Sequence, residues 1–98
     1  MYLVHAHLQP PAPGDELPPG VRALVYACAR PEDGVEHVSV HGDVPSAPVL
    51  GLFLVGDSLA RAEASAAAVC ARLVESRPEL SGWILLRAEA PLLVLDGQ

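Results

Sequence analysis

A chain of 98 residues, 51% hydrophobic and 18% charged, has room for one domain and enough apolar surface to offset the entropy of ordering it, which argues against disorder. Its net charge of -6 repels phosphate, and Arg22, Arg30, Arg61, Arg72, Arg77 and Arg87 are scattered along it, so no nucleic acid and no anionic membrane is expected as a partner. No apolar run approaches the ~20 residues of a bilayer-spanning helix.

Much of the hydrophobic fraction is alanine, so the core must lean on Leu and Val. A core of that size gains from covering part of itself with a second copy. Lys, Thr and Asn are absent, the signature of a GC-rich, actinobacterial-like composition. The N-terminus runs directly into a strand pattern, with no basic stretch, apolar run or cleavage site, and the expectation is a cytoplasmic protein without a signal peptide. Cys28 and Cys70 each fall in an apolar, helix-like segment and read as two buried free thiols, with a disulfide as the alternative.

Residues 2–8 alternate in period two: Val4, Ala6 and Leu8 point one way, Leu3, His5 and His7 the other. Five prolines and two glycines between 10 and 20 end that strand and form a stiff surface loop. Within 21–30, Val21, Leu24, Val25 and Cys28 fall at i, i+3, i+4 and i+7, a short amphipathic helix stopped before Pro31. Val and Tyr there leave a strand as the rival assignment. Asp33-Gly34 marks a turn.

Residues 35–41 form the clearest strand, with Val38 and Val40 alternating against His37, Ser39 and His41. After a Gly/Pro connection, residues 49–55 are apolar on both faces, as a central strand is, with Gly51 inviting close approach of a neighbour. Asp57 or Ser58 is placed to cap a helix over 59–76, whose stripe is Leu59, Ala62, Ala66, Val69, Leu73 and Val74, and which Pro78 ends. Residues 82–87 read as the last strand. The apolar tail 90–95 reads as a further edge strand or a covering segment.

The order strand, helix, strand, strand, helix, strand is the β-α-β-β-α-β arrangement of ferredoxin-like sandwiches, an α+β class with two helices on one face of a four-stranded antiparallel sheet. The spatial order is then fourth, first, third, second. If the pure-apolar sets face the helices, His5, His7, His37, Ser39 and His41 share the open face, beside Phe53, with Leu3 and Gly51 adding apolar or flat surface. Trp83 and Leu85 are expected alongside from the edge strand.

Histidines suit several metals. A strand separates His5 and His7 from His37 and His41, however, setting the pairs about 10 Å apart in backbone terms, so no metal site is assigned. No cofactor is expected either, because the glycines form neither phosphate loop nor dinucleotide fingerprint and no CxxC pair exists. The third strand supplies only Phe53, too few aromatics for an RNA platform. Two readings of the face remain. One is a non-catalytic interaction or accessory module that self-associates through its sheet face or edge as a homodimer. The other is a small dimeric enzyme or small-molecule-binding protein, with a cleft that would take a small apolar ligand and a histidine that moves protons, assisted by Tyr2, Tyr26 or Asp43. No nucleophile-base-orienter set stands out, since Ser39 has no assigned partner.

Overall fold

A computed structural model describes residues 1–41 and 48–91. The connection 42–47, which includes Asp43, and the tail 92–98, which includes most of the expected apolar segment, lie outside the described residues. The elements are β1 (Tyr2–Gln9), α1 (Val21–Cys28), β2 (Val35–His41), β3 (Val49–Leu54), α2 (Leu59–Ser76) and β4 (Ile84–Glu89). Residues 21–30 therefore start as a helix and not as a strand.

Proline and glycine set most of the boundaries. Gly20 takes φ 81° where the chain enters α1, a left-handed backbone that glycine accepts without steric cost. Arg30 and Arg77, each preceding a proline, adopt extended backbone because the proline ring disfavours helix in its predecessor. Of the two candidate caps for α2, Ser58 acts: its hydroxyl oxygen accepts a hydrogen bond from the Arg61 N–H at 3.2 Å, satisfying one of the orphan donors of the first turn.

The sheet order is β2-β3-β1-β4 with every pairing antiparallel. This is the ferredoxin-like order expected from the sequence, and both helices pack on one face. The core is built from Val4, Ala6 and Leu8 of β1, Val38 of β2, Leu50, Leu52 and Leu54 of β3, and the inward stripes Val21 and Val25 of α1 and Ala62, Ala66, Val69, Cys70 and Leu73 of α2. The shortest dimension is 19 Å, room for one sheet layer and one helix layer at about 10 Å each. Among the described residues, no element covers the other sheet face.

Four expectations about side chains change. Trp83 precedes β4 and is only 7% exposed, packed in the core with Leu80, so it does not belong to the open face. Leu85 also packs against the core. Val40 shares the core parity of Val38 but is 38% exposed, since α1, about 12 Å long, does not reach over the end of the edge strand. Cys28 is half-buried, whereas Cys70 is fully buried, and both are free thiols.

The strand parity in β4 is broken by a bulge. Leu8 pairs with Leu85 and His7 with Arg87, so Leu86 is the extra residue and the alternation flips across it. Arg87 and Glu89 consequently point to the open face, opposite His7 and His5. A second irregularity in β2, between Val35 and His37, leaves Glu36 as the extra residue.

Candidate functional site: the histidine face of the sheet

Cross-strand register sorts the open face into rows. His37 pairs with Phe53, and Phe53 with Leu3; Ser39 pairs with Gly51, and Gly51 with His5; His41 pairs with Val49, and Val49 with His7. All four histidines and Ser39 therefore lie on one surface, together with Phe53. His37 stacks at a tilt on Phe53, ring centroids 5.6 Å apart.

The backbone estimate that kept the histidines of β1 apart from those of β2 fails at the side-chain level. His5 and His41 lie two strands apart, yet their ring centroids are 5.6 Å apart. The reason is Gly51, which stands between them. A Cβ at that position would lie 2.5 Å from Ser39 Oγ and 3.4 Å from His41 Nε2, so the space it would fill is occupied by the side chains of β2 leaning across β3. His7 completes the group, its centroid 6.3 Å from that of His5. His5, His7 and His41 thus form a row of neighbouring imidazoles, while His37 stands apart on Phe53.

Burial and neighbours set the electrostatics. Desolvation first, then the like charge on His41 and His7, lowers the His5 pKa below the ordinary 6.5. The His7 pKa is also lowered, by desolvation and by Arg87, with Glu89 opposing. Both rings are neutral at pH 7. Arg87 and Glu89, the charged pair opposite them on β4, hold each other at 2.9 Å. The charged side chains that β4 brings to this face therefore offset each other, in a chain that has 18 charged side chains, six basic and twelve acidic.

Ser39 does have a partner: its Oγ lies 3.1 Å from His41 Nε2. Alternation places residues i and i+2 on one face of a strand, so this contact was open to sequence reasoning. As a nucleophile and base the pair is incomplete, since no hydrogen bond orients the other ring nitrogen of His41 among the described residues. The same residues show no group of three His, Cys, Asp or Glu side chains placed to hold a metal ion.

Tyr2 and Tyr26 do not serve this face. Tyr2 packs against the core, and the Tyr26 hydroxyl accepts a hydrogen bond from the Val38 N–H at 3.0 Å. That contact ties α1 to β2 and occupies a backbone donor of an edge strand, which blunts the edge against pairing with another chain.

Depressions among the described residues lie away from this face. One, of about 460 Å³, is lined by Arg30, Arg72 and Arg77 where α1 and α2 end. Arg72 is committed there: it donates to the Cys28 carbonyl and to Asp33 Oδ2, so its charge closes the end of α1 and leaves none for a ligand. Another, of about 300 Å³, is lined by Glu32, Asp57, Arg61 and Ser65. Neither includes a histidine. Among the described residues, no helix is long and apolar enough to cross a membrane.

Comparison with protein-family models, curated proteins and solved structures finds no match to this chain. The geometry of the open face has to carry the functional reading.

Proposed function

We propose that this protein is a non-catalytic interaction module that self-associates through the open face of its sheet, with a second copy covering the first. The observation that carries this reading is that, among the described residues, the carboxylate and guanidinium which the strand register places on that face, Glu89 and Arg87, are paired with each other. Leu3, His5, His7, Ser39, Val49 and Phe53 are all half-buried and uncharged at neutral pH. A chain of net charge -6 can bring this face against its own copy with little apposition of like charge, because Glu89, the carboxylate that β4 places on it, is paired with Arg87 at 2.9 Å. A partner of strong charge finds nothing to pair with there. The face is favoured over the β2 edge, since Tyr26 already occupies the Val38 N–H there.

Size sets the expected strength. Four strands at about 4.8 Å spacing and six residues at about 3.3 Å give a flat footprint of roughly 400 Å². That is near half the area each partner contributes to a standard interface. Association through this face alone is therefore weak and concentration-dependent. Sedimentation velocity over a dilution series at pH 7.5 should show monomer and dimer in exchange, the dimer at twice the 10.3 kDa of the chain. Leu3→Glu puts a charge into the half-buried apolar part of each face, beside Phe53, and should shift the equilibrium to monomer while leaving thermal unfolding nearly unchanged. A monomer at every concentration up to millimolar, or a dimer indifferent to Leu3→Glu, rejects this reading.

The Ser39–His41 contact is the one observation that favours a catalytic or ligand-binding use of the same face. It predicts hydrolysis of an activated ester that His41→Gln abolishes.

A further inference from the structure

Resting on self-association through the sheet face, we propose that the row His5, His7, His41 makes the dimer acid-labile: assembled at neutral pH and released on acidification. The geometry is a shared site and not three separate side chains. Ring centroids 5.6 and 6.3 Å apart are closer than the ~8 Å over which physiological salt screens charge. Imidazolium ions formed there repel one another, and a covering copy would bring a second row of three onto the same surface while excluding the water that solvates them.

Among the described residues, the groups around the row do little to offset that charge. From β2 it faces Ser39 and, further along, His37. From β3 it faces Val49, Gly51 and Phe53, and Leu3 adjoins His5 on β1 itself. From β4 it faces Arg87 and Glu89. Glu89 is the one carboxylate in that set, and Arg87 already holds it at 2.9 Å. In the free chain burial and mutual repulsion already disfavour protonation of His5, and further burial in a dimer works in the same direction.

Linkage then fixes the sign. The monomer binds protons more readily than the dimer, so lowering the pH favours separation, with Kd rising up to tenfold per pH unit for each proton taken up. The general charge of the chain acts the other way. As pH falls from neutral toward the pI of about 4.9, the repulsion between two acidic copies fades, which by itself tightens association. Loss of the dimer on acidification is therefore specific to the imidazoles.

The test is sedimentation velocity of the full chain over a dilution series at pH 7.5, 6.5 and 5.5, for the natural sequence and for the triple variant His5→Gln, His7→Gln, His41→Gln. The Kd of the natural dimer should rise at least tenfold between pH 7.5 and 5.5, while that of the triple variant stays level or falls. A Kd unchanged within twofold, or equal acid lability in the triple variant, overturns the inference and leaves self-association standing. A monomer at every concentration at pH 7.5 overturns both. Should the triple variant not fold, proton NMR titration of the imidazoles decides: the His5 resonance should titrate at lower pH in concentrated than in dilute protein, and coincident titrations overturn the inference.

Discussion

Gly51 and the rings beside it show how one residue can change what a strand separation means. Two inter-strand spacings set the backbones of β1 and β2 about 10 Å apart, and that distance is readable from topology. The 5.6 Å between the His5 and His41 rings is not, because it depends on which rotamers fill the room above a residue without a Cβ. The two cysteines illustrate the same dependence on surroundings. Burial, with a smaller contribution from Cys28, pushes the Cys70 thiol up to about 12, which removes its reactive thiolate at neutral pH. Cys28 is half-buried, with its Sγ 3.9 Å from Ser76 Oγ. A disulfide-exchange reagent at pH 8 should label Cys28 alone in the folded chain and both thiols in denaturant; equal rates in the native protein would contradict this.

At the scale of elements, the ion pairs separate into one that holds the fold and one that decorates it. Arg72 on α2 bonds to Asp33 at 3.0 Å and to the carbonyl that ends α1, and Asp33 Oδ2 also accepts from the Arg30 N–H at 2.8 Å. Asp33 is only 8% exposed. Arg72→Ala leaves that carboxylate nearly buried and lacking its cation, a loss of about 3 kcal/mol. Arg87→Ala breaks a pair whose side chains are about half exposed and should cost no more than ~1 kcal/mol. Urea unfolding of both variants at pH 7.5 measures the contrast, and similar losses would refute it. The Arg72 tie is not visible in sequence, since residues 33 and 72 meet only after α1 and α2 have packed. The order of elements was legible because apolar residues repeat at 2 and 3.6 and prolines punctuate the chain. The face of β4 was not: the extra Leu86 reverses the alternation, so Trp83 and Leu85 turn inward and Arg87 and Glu89 turn out.

For the molecule as a whole, the lowered histidine pKa values tie stability to pH. His5 and His7 titrate below their ordinary 6.5 when folded, so the unfolded chain takes up protons first as the pH drops. Their contribution is fully present above about pH 6.5 and is lost as the pH falls through their folded values. At concentrations low enough to keep the chain monomeric, the urea midpoint should fall from pH 7.5 to 5.5, and fall less in His5→Gln, His7→Gln. A midpoint that rises on acidification would show the opposite linkage.

The residue pattern by itself pointed to the fold class, through the periodicity of each element, and to the strand order that this topology carries; parity along each strand put all four histidines on one sheet face once the apolar sets were taken to face the helices. Tertiary structure decided which imidazoles touch, which edge donor is already taken, where Trp83 goes and which charges border the face. Those outcomes depend on bulges, on a missing Cβ and on contacts between residues far apart in the chain, none of which a local repeat encodes.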